Sequence, residues 1–410
     1  MTVPTRRVQG GALRTALSFA AAALMVTACA DTGSTTPTSL VPLVPAGALP
    51  VSTLAPSTTA APSSDPNSPL IAAVPDLECA YADELAGGEI TFIVGDRLYG
   101  SAPDGTVVRC LAGLRADQRG PVKWSPDGTR AVLNAATVYD GAGARFSGFD
   151  AVNTRVQWEW PTATGMFAPT ATNRTLVRRD AADPNIRTEI TFLTDTVAAV
   201  AHPAGGVVIA SGTSADGTSG IYAATESGDS TRMLVSTASV AATAASVTEL
   251  GADAAGDMLY FLVENGTSFK VEQLVFGDLS VTELSSEQAP IVQLTVGPTR
   301  RSVAWKVGLC NSTTQTRVRD DRTATAVDVG IGTPIEPLSI APVGWLDGAR
   351  LVVATRPLGC DGPADVWIWN LLDSSATLLA KTVEFAAVRT TPEGAAPLAI
   401  AAEAVPAVVP

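Results

Sequence analysis

A strand, a polar turn and a second strand closing on leucine recur along this chain. Leu98–Leu111 (LYGSAPDGTVVRCL), Ile221–Leu234 (IYAATESGDSTRML) and Val271–Leu284 (VEQLVFGDLSVTEL) place the closing leucine at the same distance from the opening residue, and Val366–Leu379 (VWIWNLLDSSATLL) is a looser relative. Apolar and polar residues alternate within these runs, the period of a strand. Their turns, Pro103-Asp104-Gly105, Ser227-Gly228-Asp229 and Gly277-Asp278, carry residues that tolerate the positive φ of tight hairpins.

A second unit precedes the hairpin in most repeats. Its fullest copy is Val122–Leu133 (VKWSPDGTRAVL). Weaker copies start at Ala199, Glu249, Gln293 and Pro342, and the run from Gly165 fits less well. Each is a short strand, a Pro/Gly/Asp turn and an apolar strand. Joined to the hairpin it makes a four-stranded antiparallel unit. Successive copies lie about 40 to 45 residues apart, the period of a propeller blade.

The turn Ser125-Pro126-Asp127-Gly128 before an apolar strand resembles the repeat of the TolB-like family of WD-like β-propellers. Asp347-Gly348 and Pro203-Ala204-Gly205-Gly206 keep part of it. The resemblance spans most of residues 89–405. It implies an all-β propeller of about seven blades, six being the other count, in which hairpin 89–112 and segment 387–400 complete one blade from the two chain ends. A long β-sandwich or two smaller β domains is the alternative. The pairs Trp158/Trp160 and Trp367/Trp369, each spaced by two, point to one face and suit packing between blades.

The N-terminus has a different character. Arg6, Arg7 and Arg14 precede an uncharged apolar run, Thr15–Val26, which is too short to cross about 30 Å of hydrocarbon. It reads as a removable export signal. The run ends in Val26-Thr27-Ala28-Cys29, which resembles the bacterial lipobox. That resemblance implies cleavage after residue 28 and diacylglycerol on Cys29, whose two fatty chains suffice for stable anchoring. Residues 29–75 are rich in Thr, Ser, Pro and Ala without lasting periodicity and read as a disordered tether. Residues 76–410 are then the propeller domain. The expected location is the outer face of a bacterial cell membrane.

The chain has five cysteines. Setting Cys29 aside for lipid leaves Cys79, Cys110, Cys310 and Cys360, with three possible connectivities. Pairing Cys79 with Cys110 and Cys310 with Cys360 is favoured, because Cys310 and Cys360 each follow a β-rich run as in equivalent loops of neighbouring units. Disulfides suit an exported protein.

The net charge of −13 argues against nucleic acid, whose binding needs a basic footprint, and against a grip on anionic lipid. The membrane is reached only through the lipid. No Gly-x-Ser-x-Gly elbow occurs, Gly212-Thr213-Ser214-Ala215-Asp216 failing at its last place, and no P-loop opens a helix. His202, the sole imidazole, sits in a turn and reads as a surface residue. No catalytic residue, metal ligand or cofactor site is assigned. The reading is a non-catalytic platform for an envelope protein or a ligand, glycan included. The alternative is a glycan-processing enzyme with two acids across the funnel, drawn from Asp216, Asp253, Asp257, Asp320, Asp321, Asp347 and Asp361. Backbone capping is the simpler role for carboxylates in turns.

Overall fold

The computed structural model describes residues 67–79, 90–140, 144–146 (backbone only), 156–161, 163–170, 175–183, 185–240, 245–299, 301–309, 313–323, 325–331, 338–357 and 362–389. Among them, seven antiparallel sheets of four strands each form the blades of a β-propeller. In chain order, blade 1 runs from Val122–Trp124 to Ala144–Phe146 and blade 2 from Gln157–Trp158 to Arg187–Ile190. Blade 3 runs from Asp195–Ala201 to Thr231–Ser236, and blade 4 from Ser246–Ala252 to Val281–Glu287. Blade 5 runs from Ile291–Val296 to Val327–Asp328, and blade 6 from Leu338–Trp345 to Ala376–Val383. The first strand of each is the innermost. Among the described residues helix is confined to Thr237–Val240 and a 3-10 turn at Ala116–Gln118. No helix among the described residues is long and apolar enough to cross a membrane.

Blade 7 joins the two chain ends, as the repeats imply. Its inner strand Phe385–Val388 pairs antiparallel with Ile90–Val94, Ile90 opposite Val388 and Ile93 opposite Phe385. The other three strands, Ile90–Val94, Arg97–Ser101 and Val108–Gly113, come from the N-terminal side. The division is therefore one strand to three, not the two-and-two split expected from 89–112 and 387–400. A short buried strand, Ile90–Val94, already stands before the hairpin. Residues 390–400 lie outside the described ones.

Blade 2 corrects a second expectation. The run from Gly165 supplies the second and third strands, Gly165–Pro169 and Leu176–Asp180, while the inner strand is Gln157–Trp158. Two residues are too few to show a period.

Seven buried apolar clusters lie one in each interface between neighbouring blades. This follows from the sequence pattern. Both faces of each blade are covered, so central strands such as Met258–Asn265 are nearly all apolar and buried. Polar side chains staple the interfaces. Trp124 Nε1–H donates to Thr91 Oγ1 at 2.9 Å, Trp158 Nε1–H to the Lys123 carbonyl at 2.9 Å, and Ser211 Oγ–H to the Val247 carbonyl at 2.9 Å.

Residues 67–75 share the composition of the stretch before them, and Leu70 and Ile71 donate backbone hydrogen bonds to Leu378 and Leu379 on the outermost strand of blade 6. Ile71 is buried, and Leu70, Val74 and Leu77 pack on the core between blades 6 and 7. Arg97 donates to the Leu77 carbonyl at 2.8 Å and pairs with Asp76. Cys79 then bonds to Cys110 in the disulfide expected from sequence, with a Cα–Cα separation of 4.4 Å. The segment 67–79 is thus a strap across the interface where the ring closes. Cys310, Cys360, Cys29 and the leader lie outside the described residues.

Candidate functional site: the central channel

The seven inner strands surround an axial channel, and three cavities lie along it. One lobe encloses about 560 Å³, and two others about 260 Å³ and 250 Å³. Lys123 lines all three. Gln157 and Glu249 line the two smaller lobes, and Gln293 lines the largest and the smallest. One ammonium, one carboxylate and two amides from blades 1, 2, 4 and 5 therefore meet at the axis, between apolar walls such as Leu294 and Val296.

Backbone irregularity places several of these groups. The inner strands of blades 3 to 6 each slip register against their second strand, between Thr196 and Ala198, Val247 and Glu249, Val292 and Leu294, and Pro342 and Gly344. The extra residues are Val197, Thr248, Gln293 and Val343. A bulge bends its strand and re-aims the side chains beside it. Thr248, Glu249, Gln293 and Val343 all line the channel. Gln293 has a φ of 60°, the left-handed region that non-glycine residues seldom occupy, and its Nε2 donates to the Pro342 carbonyl at 2.5 Å. The inner strands of blades 1 and 7 keep regular register.

Lys123 is the electrostatic centre. Burial pushes its amine down to about 8, and the Glu249 carboxylate works in the opposite direction. Among the described residues no group accepts a hydrogen bond from its ammonium.

The carboxylates considered from sequence lie elsewhere and cap turns. Asp216 accepts from Thr218 N–H at 2.9 Å, and Asp347 accepts from Ala349 N–H and Arg350 N–H at 2.8 Å. Asp253 is buried and accepts from Asp257 N–H and Met258 N–H at 2.9 Å, burial raising its pKa against those two bonds. Asp320 accepts from Arg322 and Thr323 N–H and pairs with the Arg322 guanidinium. Asp257 sits in the Asp253 turn, Asp321 is exposed, and Asp361 lies outside the described residues. None of the described ones lines the three lobes, where Glu249 is the carboxylate. No group of three or more His, Cys, Asp or Glu among the described residues is placed to hold a metal.

In the best-formed turn, Asp127 accepts from Ser125 Oγ at 2.7 Å and from Thr129 N–H at 3.0 Å, with Gly128 at a φ of 66°. Burial works to raise the Asp127 pKa, and those bonds together with one from Ala163 N–H outweigh it. That last bond reaches into blade 2, so the turn also ties neighbours together.

No protein-family model matches the chain, and no curated protein matches it. Solved structures do. TolB from Acinetobacter baumannii is 14% identical over 74% of this chain and 67% of its own, with a TM-score of 0.42. An oligogalacturonate lyase in complex with manganese is 14% identical over 69% of this chain and 82% of its own, at 0.47. A puromycin-hydrolyzing peptidase from Mycobacterium tuberculosis is 14% identical over 72% of this chain, at 0.46, and the chain spans 52% of its length. Each is a likeness of structure at low identity.

His202 departs from its sequence reading as a surface residue. It is fully buried between blades 3 and 4 and edge-on to Phe276, at 5.3 Å between ring centroids. Sequence reasoning also missed the channel set. Lys123 stands inside the quoted Val122–Leu133 unit, and a lysine between valine and tryptophan on an otherwise apolar strand is a signal in a chain with four lysines. Gln157, Glu249 and Gln293 carry no such mark.

Proposed function

We propose that this chain is a bacterial cell-envelope lipoprotein, exported by residues 1–28, anchored through lipid on Cys29, and acting as a non-catalytic binding platform for an envelope protein or a ligand. The observation that carries the binding reading is the axial channel, where single polar groups from four blades converge with, among the described residues, no second carboxylate beside Glu249. Turn carboxylates engaged in capping support the same reading over a two-acid glycan chemistry, which needs two carboxyl groups about 5 to 9 Å apart across the substrate.

Two experiments test it. Cys29→Ala should move the chain from the membrane fraction to the soluble one, and continued membrane retention overturns the anchor. Mild crosslinking in the native envelope, with the chain as bait, should recover a stoichiometric protein partner. Release of reducing sugar from cell-wall glycan, lost in Glu249→Gln, would instead make the chain an enzyme.

A further inference from the structure

The channel centre suits one class of ligand better than others, and this deepens the binding-platform reading on which it rests. Lys123 and Glu249 come from blades 1 and 4 and border the same two lobes, with Gln157 between them in the ring. Gln293 lines the smallest lobe and is fixed by its bond to Pro342. Lys123 is half-buried at the channel wall. The Lys123 ammonium has no hydrogen-bond acceptor among the described residues and borders every lobe. Non-glycine φ > 0 at Gln293, in a strand, marks backbone strain of the sort that collects at ligand sites.

We propose that the channel centre binds a small zwitterion, a free amino acid or dipeptide, with Lys123 taking the carboxylate, Glu249 facing the ammonium, and Gln157 and Gln293 supplying amide contacts. Lobes of about 250 Å³ accommodate such a molecule. A phosphate or other polyanion meets a single cation with a carboxylate facing the same lobes. The Trp124 and Trp158 rings are only 9% and 3% exposed with their Nε1–H groups engaged within the protein, and the half-buried Trp160 borders one lobe but not the smallest, where Lys123, Gln157, Glu249 and Gln293 meet, so a sugar there has no indole to stack on. An incoming carboxylate would also relieve the desolvation that lowers the Lys123 amine.

The test uses the full chain and calorimetric titration with glycine, alanine and alanylalanine, against glycinamide, which lacks the carboxylate, and N-acetylglycine, which lacks the ammonium. At least one zwitterion should bind, and both single-charge analogues should bind at least about tenfold more weakly, the loss expected from one charge-assisted contact. Lys123→Met should erase the discrimination against glycinamide, and Glu249→Gln the discrimination against N-acetylglycine. A measurement on the unaltered chain guards against variants that fail to fold: the binding zwitterion should protect the chain against thermal unfolding, raising its melting temperature, while glycinamide and N-acetylglycine at the same concentration should not. Equal affinity for all analogues, or no binding and no protection by any of the three zwitterions, overturns the proposal. Recovery of an envelope partner by Lys123→Met under crosslinking would then leave the platform reading standing while the zwitterion site falls.

Discussion

The ring of His202 ties the Gly256 turn of blade 4 to its own turn in blade 3. Ala204 N–H donates to His202 Nδ1 at 3.2 Å, so the proton sits on Nε2 and is donated to the Gly256 carbonyl at 3.1 Å. The neutral ring is the one that fits, since a proton on Nδ1 would face a donor. Burial lowers the His202 pKa, and the bond to Gly256 only partly restores it.

The sign of the pH effect follows. The folded pKa lies below the unfolded value of about 6.5, so this contribution is complete above that value and is lost as pH falls through it. We expect thermal stability to decline more steeply from pH 7.5 to 5.5 in the wild type than in His202→Gln. At pH 7.5, His202→Ala should cost about 1–3 kcal/mol by leaving a donor and an acceptor unsatisfied. Equal slopes in scanning calorimetry would place the acid sensitivity elsewhere.

The strap 67–79 predicts a second dependence. Cys79→Ser should lower stability by about 2–4 kcal/mol, the typical effect of losing a disulfide. Ile71→Asp should be comparably harmful, since it places a charge in the core between blades 6 and 7. In hydrogen exchange, both should raise exchange first at Phe385–Val388 and Ile90–Val94, the strands that close the ring. Uniform loss of protection would show that the strap does not act on the closure.

A buried ion pair gives the third. Arg178 Nη2–H donates to Glu159 Oε2 at 2.8 Å, Nε pairs with Oε1, and Thr164 Oγ1 adds a bond at 3.1 Å. The Glu159 side chain is 3% exposed and that of Arg178 22%. Arg178→Met should cost about 2–4 kcal/mol by stranding a buried carboxylate, and Glu159→Gln added to it should recover part of that loss. Gly165→Ala should act on the same pair, because a methyl group there meets the Glu159 carboxylate. A purely additive double mutant, measured by urea unfolding, would refute the coupling.

Lys123 predicts a gain. Its folded pKa of about 8 lies below the ordinary lysine value, so between about 8 and 10.4 the unfolded chain holds a proton that the folded chain has released. Stability from this group rises with pH across that window. Lys123→Met should therefore raise the melting temperature at pH 7 by a few degrees and flatten the alkaline slope, to which Lys306, also lowered by burial, still contributes. A melting temperature unchanged or lower at pH 7 would show that the ammonium is not held at a cost.

Local chemistry was enough for the parts of this protein that repeat. Strand alternation, Gly/Asp turns and the period between units specify a ring of four-stranded blades, because each depends on neighbours a few residues apart. Joining the chain ends in one blade followed from the same repeat logic. The features that need the tertiary structure depend on distant contacts or on the absence of a pattern. The strap has a tether's composition, and the carbonyls of Leu378 and Leu379 on the edge of blade 6 give its backbone somewhere to bond. His202 looks like a turn residue until the next blade covers it. Lys123 and Glu249 are far apart in the chain and become neighbours only because seven blades close a circle, and the register slip beside Glu249 is set by pairing between strands, which no single strand encodes.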